Sequence, residues 1–303
     1  MAYAVHLLTM VSFYMILALA LDLVIVAGLM SLAIGAFFGV GAYTSALLSK
    51  AGVAPLLAQF TGMALAALLS GFVALPAARV RGIYLLIITI AVQIVSTVIL
   101  QNWTAVTGGD AGIPHIPPYS VFGVEIRGAP FLVVSIVSAL AVYLVCRGLA
   151  RSPFGAMLKA IRDDETGALA LGKNVVAAKL WAFALSGALA AFAGSLYAHY
   201  TAYVDPGSFD INVSILVLLM VMLGGAGTLR GPVAGALVLS MVPEIFRFLP
   251  LPPGVAAATR QLLYGVLLLV VVYWRPQGLF GGRPVTSARP RNSAGAPPAQ
   301  VLP

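Results

Sequence analysis

The chain has 303 residues, of which 61% are hydrophobic and only 9% charged. Soluble domains carry roughly 25% charged residues; with a mean hydropathy of +1.03, too little polar surface is present to cover a water-soluble core, which excludes an ordinary soluble enzyme. The net charge of +8, from 17 Lys+Arg against 9 Asp+Glu, sits in gaps between apolar runs, the pattern of membrane loops rather than of a nucleic-acid surface.

A membrane crossing takes roughly 20 apolar residues, so the expected fold is all-α and polytopic, with about 9–10 transmembrane helices including short or re-entrant ones. Nine apolar runs lie near 5–27, 30–48, 54–75, 83–101, 130–149, 177–199, 211–224, 232–249 and 257–274. Residues 1–280 read as a membrane domain with a cytoplasmic loop at about 150–178, and 281–303 as a disordered cytoplasmic tail rich in Pro, Gly and Arg. No Lys or Arg precedes Lys50, so a cleaved leader is not expected. Cys146 is the single cysteine, which rules out a disulfide framework within the chain and a thiolate metal cluster.

The first run holds Asp22. A carboxylate inside an apolar run costs a few kcal/mol and usually faces a bundle interior or watery cavity. It is expected to act as a hydrogen-bonding group; the alternative is a charge that attracts a cationic substrate. The runs at 30–48 and 211–224 are short or rich in glycine, as in a broken or re-entrant helix. Gly35 and Gly39, and Gly227, Gly231 and Gly235, recur every four residues, a spacing that lets helix backbones approach closely.

The loop after the fifth run carries the most information. Ser152-Pro153 forms an N-cap and first-turn pair. Phe154, Met157, Leu158 and Ile161 then mark one face of a helix, with Lys159, Arg162 and Asp163 elsewhere, and Gly172 ends it. Such a helix either rests on the inner leaflet or docks its apolar face in a groove of a partner.

Signatures of catalysis are missing. Gly172-Lys173-Asn174 lacks the glycine loop and hydroxyl of a nucleotide-binding P-loop, and Gly225-Ala-Gly227 has no third glycine. His6, His115 and His199 are scattered, without a neighbouring carboxylate cluster, and read as interfacial or loop residues. No metal site is expected.

Orientation follows from counting. With the loop 147–179 inside, Arg79, Arg81, Arg147, Arg151, Lys159, Arg162, Lys173, Lys179, Arg230, Arg275, Arg283, Arg289 and Arg291 are inside, 13 of the 17 basic residues. Lys50, Arg127, Arg247 and Arg260, the other 4, are outside. The N-terminus is therefore expected outside and the C-terminus inside.

The string from Ser152-Pro-Phe-Gly155 through Leu158, Ala160-Ile-Arg-Asp-Asp-Glu165 and Ala170-Leu-Gly172 to Asn174 resembles the coupling loop of ATP-binding-cassette (ABC) importer permeases of the branched-chain amino acid (LivM) type. Six further segments are similar in the same order: Ser31–Tyr43, Arg81–Tyr84 with Thr89, Thr107–Gly112, Ala193–Tyr200, Met222–Pro232, and Tyr264-Gly265 with Arg275–Leu279. The resemblance spans about residues 10–280.

It implies an inner-membrane, multi-pass bacterial permease that translocates branched-chain or related small amino acids or amides. A second permease subunit would pair with it, two cytoplasmic ATP-binding subunits would lie beneath, and an extracytoplasmic binding protein would deliver substrate. ATP and Mg would then be held by the partner ATPases, with no cofactor and no enzymatic site on this chain. The coupling contacts would fall on Pro153, Phe154, Gly155, Leu158, Lys159, Ile161, Arg162, Asp163, Glu165 and Gly172. Pathway candidates are Asp22, Phe37, Phe38, Tyr43, Thr89 and Gln93. The chain departs from the family pattern at Ala33-Ile34, usually Gly-His, and at Asp22, usually Asn.

The competing reading is an ion-coupled secondary transporter, which normally places carboxylates or broken helices near the midplane. Asp22 alone sits well inside a run. A membrane-embedded enzyme would need a convergent His/Asp/Glu set. Because no basic residue lies deep in a run to meet a substrate carboxylate, the pathway is expected to bind amino acids weakly.

Overall fold

The computed structural model describes residues 2–77, 83–121, 124–247, 265–266, 273 and 278–280. In chain order come α1 (Ala2–Val26), α2 (Ile34–Lys50), α3 (Pro55–Ala77), α4 (Ile83–Asn102) and the single turn α5 (Thr104–Thr107). The strands β1 (Ile113–Pro114), β2 (Tyr119–Val121) and β3 (Val124–Ile126) follow, then α6 (Ala129–Arg151), α7 (Pro153–Asp163), α8 (Glu165–Ala170) and α9 (Val175–Thr201). The strand β4 (Tyr203–Val204), a 3-10 turn at Pro206–Phe209, α10 (Ile211–Gly224) and α11 (Arg230–Arg247) complete the described chain.

Among the described residues six stretches are long and apolar enough to cross a membrane: Tyr3–Val26, Pro55–Pro76, Tyr84–Asn102, Ala129–Arg151, Val175–Thr201 and Pro206–Gly224. The protein is thus a polytopic, mainly helical membrane protein. Eight of the nine apolar runs are helices; the ninth, 257–274, and the tail 281–303 lie almost wholly outside the described residues.

Burial divides the helices into a centre and a rim. Ile16 to Leu21 of α1 are almost fully buried, as are the small residues Ala190, Ala191, Ala193 and Ala198 of α9. On the rim, Leu68 and Phe72 of α3, Ile87 and Val95 of α4, and Val133 and Val137 of α6 are exposed. Apolar residues facing outward are what a hydrocarbon solvent requires.

The middle of the centre is held by backbones that touch. A Cβ at Gly41 would fall on the Ala191 carbonyl, one at Gly194 on the Phe38 carbonyl, and one at Gly187 on the Ser70 side chain. These glycines bring α2 and α3 against α9, the close approach that small residues allow.

The two ends of the bundle differ. At one end Lys50 Nζ donates to the Pro114 carbonyl (3.2 Å), Tyr119 donates to Gln59 Oε1 (2.7 Å), and β1 pairs antiparallel with β4. His199 lies here as well, buried in α9. The Pro117 carbonyl can only accept, so Nδ1 donates to it (2.8 Å) and Nε2 receives the Ser45 hydroxyl (2.9 Å). At the other end α7 and α8 form a helical hairpin under α1 and α9. Its core joins Leu158, Ile161 and Ala168 to Leu23, Val24, Ala27, Val175 and Phe183.

Two features depart from the sequence reading. The polar stretch Gln101–Arg127 contains three short strands, and Val204 and Tyr203 supply the fourth; strands of two or three residues leave no periodicity to read. The single helix expected from Ser152 to Gly172 is broken at Asp164, which takes an extended conformation and caps α8 by accepting the Gly167 amide at 3.0 Å. That amide, together with the Thr166 hydroxyl, lowers the Asp164 pKa below the usual carboxylate value.

Candidate functional site

Two helices begin at membrane depth instead of at a surface. α1 ends at Val26, a turn at Ala27-Gly28 and a non-helical stretch through Ala33 follow, and α2 starts at Ile34. Its capping position is Ala33, whose side chain accepts no hydrogen bond. The first amides of a helix have no partner within it, and no water is present in hydrocarbon to supply one. Other helices supply the acceptors. Gln93 Oε1, midway along α4, accepts the Ala36 amide (2.7 Å) and the Ser214 hydroxyl (3.0 Å). Ser214 Oγ receives the Gly35 amide (2.9 Å), and Thr89 Oγ1 receives the Leu32 amide (3.1 Å).

The second break is built in the same place. The chain enters through the 3-10 turn 206–209, and Gln93 Nε2 donates to the Phe209 carbonyl at 2.8 Å. Asp210 then caps α10 by accepting the amides of Asn212 (2.9 Å) and Val213 (3.2 Å). One neutral amide side chain therefore bonds to both interruptions. The short or re-entrant character expected of the runs at 30–48 and 211–224 takes this form.

Around this junction sits an aromatic cluster. Phe38 packs edge-on against Phe209 (centroids 5.0 Å) and Tyr197 (5.4 Å), and Tyr43 lies against Phe209 at 5.8 Å. Phe37 and Tyr43 also line an open cavity of about 580 Å³ between α2, α3 and α4, with the exposed Phe72, Val95 and Trp103 at its margin. Of the six pathway candidates, Phe37, Phe38, Thr89 and Gln93 thus lie at the start of α2, and Tyr43, midway along it, joins them through Phe209. Ser214, which completes the capping set, escaped the sequence reading because a lone serine in an apolar run carries no signal.

Asp22 does not join them. It is buried near the last turn of α1, at the end of the bundle that carries α7, and its Oδ1 accepts the Gly227 amide at 2.7 Å. Cys146, Leu158 and Lys159 line the small cavity beside it. Gly227, with φ +81°, belongs to the turn between α10 and α11, so it is not part of a helical stripe as its spacing from Gly231 and Gly235 suggests. The other four glycines do sit at contacts. A Cβ at Gly231 would strike the Gly225 carbonyl and one at Gly235 the Met220 carbonyl. At Gly35 a Cβ would lie 2.9 Å from Ser214 Oγ, and at Gly39 3.1 Å from Phe209.

The loop residues separate into an inner and an outer face. Ser152 caps α7 by accepting the Gly155 amide (3.3 Å), with Pro153 in the first turn. Gly155, Leu158 and Ile161 are buried, and Phe154 half-buried, against this chain's own α1, α6 and α9. The apolar face expected to dock on a partner is therefore covered from within. Lys159, Arg162, Asp163 and Gly172 are exposed, as are Leu169 (50%) and Leu171 (79%) at the end of α8. Glu165 is tied to α9 by a 2.8 Å ion pair with the buried Lys179.

Among the described residues no basic side chain lies in the middle of a span, and no group of three or more His, Cys, Asp and Glu is placed to hold a metal. Helices that break at depth, a neutral capping hub and a helical hairpin at one end define a multi-pass membrane permease. Residues 3–272 match the family model described as the branched-chain amino acid transport system permease component, and the chain belongs to that family. It is 33% identical to the high-affinity branched-chain amino acid transport system permease protein LivM of Salmonella typhimurium, over 91% of this chain and 69% of that one. The Escherichia coli protein of the same name is 32% identical over the same shares. A probable branched-chain amino acid transport permease protein LivM of Methanocaldococcus jannaschii is 30% identical over 70% of this chain and 64% of its own. No solved structure matches the chain.

Proposed function

We propose that this chain is a translocating subunit of an ATP-driven importer in the bacterial inner membrane, with the N-terminus outside, and that its substrates are branched-chain or related small amino acids. The observation that carries the reading is the family match over residues 3–272, joined to relatives named for branched-chain amino acid transport. The chain pairs with a second permease subunit, receives substrate from an extracytoplasmic binding protein, and leaves ATP and Mg to two cytoplasmic ATPase subunits. It has no ATPase site of its own.

The outer face of the α7–α8 hairpin suits the ATPase contact. It offers Lys159, Arg162 and Asp163 for polar contacts and Leu169 and Leu171 as apolar anchors, while Phe154, Leu158 and Ile161 hold the hairpin rigidly onto the bundle. Load transmitted at the outer face then reaches α1 and α9 through packed side chains. The Gln93 hub lines the pathway with neutral groups, so the permease passes substrate without holding it tightly.

The test is reconstitution. The complex purified with its ATPase subunits should hydrolyse ATP faster when the loaded binding protein is added, and take up a branched-chain amino acid into vesicles only with ATP. Uptake that follows a proton or sodium gradient without ATP would establish the ion-coupled reading instead.

A further inference from the structure

Beyond the transport pathway, three arginines converge where α6 ends. Tyr143, Arg147 and Arg151 repeat at four-residue spacing and so form one stripe on α6. Arg230 opens α11, and the three arginines line an open cavity of about 440 Å³ together with Thr228, Leu229 and Phe280. All three arginines are exposed, and among the described residues none has an ion pair and no carboxylate lines the cavity. Three like charges around one space repel each other unless an anion sits between them. The N-terminus of α11 adds partial positive charge on the same side.

Depth identifies the anion. Roughly 20 residues of α6 from Ala129 cross the hydrocarbon, which brings Arg147 to its edge and Arg151 about 6 Å further out. Tyr143 lies one turn deeper, where an amphipathic ring is at home. Leu140, about one turn below Tyr143, and Leu144, beside it, face outward on the same helix, 55% and 53% exposed. The outward face of α6 thus changes from apolar at Leu140 and Leu144 to cationic at Arg147 and Arg151, seven residues on, the order of an acyl chain and a phosphate. Guanidinium forks match phosphate oxygens in pairs, and basic pockets between membrane helices hold acidic lipid headgroups.

We infer that this cavity is a binding site for the phosphate headgroup of an anionic phospholipid, gripped by Arg147, Arg151 and Arg230, with its chains descending along α6. Free phosphate shares the chemistry but not the apolar part of that α6 face.

The full-length protein, reconstituted in bilayers of mixed phosphatidylglycerol and phosphatidylcholine, should retain phosphatidylglycerol above the bulk ratio when extracted and weighed by native mass spectrometry. Excess inorganic phosphate should leave that enrichment in place; displacement by phosphate would overturn the lipid assignment. Each Arg→Gln change should lower the enrichment by up to about fivefold, and R147Q/R151Q/R230Q should bring it to the bulk ratio. The matching Arg→Lys variant, which keeps the charge and guards against a folding artefact, should keep part of it. Enrichment that is absent in the parent, survives the triple Gln change, or falls equally in K159Q/K173Q would refute the site.

Discussion

The carboxylate of Asp22 accepts the backbone amide of Gly227, 205 positions along the chain, at 2.7 Å. This bond ties the last turn of α1 to the turn between α10 and α11 and fixes where the α7 hairpin can sit. An Asn has the same oxygen to offer, and a Leu has none. Asp22→Asn should therefore support uptake near the parental rate. Asp22→Leu should strand a buried amide at about 1–3 kcal/mol, seen as a lowered melting temperature of the purified protein. Folded Asp22→Asn that fails to transport would show that the charge itself is needed.

Gln93 should be the least replaceable uncharged residue in the bundle. Gln93→Leu leaves the Ala36 amide and the Phe209 carbonyl without partners, each costing about 1–3 kcal/mol when buried. Size-exclusion profiles after graded heating should show early loss of the folded peak. Ser214→Ala removes the Gly35 acceptor and one of the two donors to Gln93 Oε1; it should cost less because Gln93 keeps the Ala36 amide, and an equal loss in both would put the hub elsewhere than Gln93.

On the loop, inner and outer substitutions should fail differently. Leu158 is fully buried, so Leu158→Asp should destabilise the permease itself through an unpaired buried charge. Leu169→Ser with Leu171→Ser removes exposed apolar groups and should leave the permease folded while reducing ATPase co-purification several-fold. Normal assembly of that double variant would move the contact off α8.

Breaking the Lys179–Glu165 pair should be costly in the same region. Lys179 is 2% exposed, and removing one partner of a buried pair typically costs about 3–5 kcal/mol. Glu165→Leu, which strands the buried Lys179 ammonium, should show this in thermal melts, and Glu165→Leu with Lys179→Met should recover most of it; a double variant as unstable as the single one would refute the role of the pair.

Much of this architecture is legible in the sequence because hydrocarbon solvent leaves few options. Long apolar runs report the crossings, Ser152-Pro153 reports the start of α7, and the glycines of the run at 30–48 report the close packing of α2. What escapes are features made by pairs distant in sequence. Gln93 reads as one polar residue in α4 until Ala36, Phe209 and Ser214 are seen around it. Gly227 continues a four-residue glycine repeat, yet its positive φ takes it out of the helix. The amphipathic pattern of α7 tells correctly that one face is covered, and periodicity is blind to whether this chain or another does the covering.

The contacts of Gly41 with Ala191 and Gly194 with Phe38 put main chain on main chain between α2 and α9, and Gly187 leaves only the short Ser70 side chain between α3 and α9. Sliding any one of them past another would drive main-chain atoms together, so the three must travel as a single stiff block. Rearrangement during a transport cycle is then confined to the seams around that block, where α4 and α6 meet it through ordinary side chains. Gln93, reaching from α4 to the start of α2, bridges such a seam and acts as its latch.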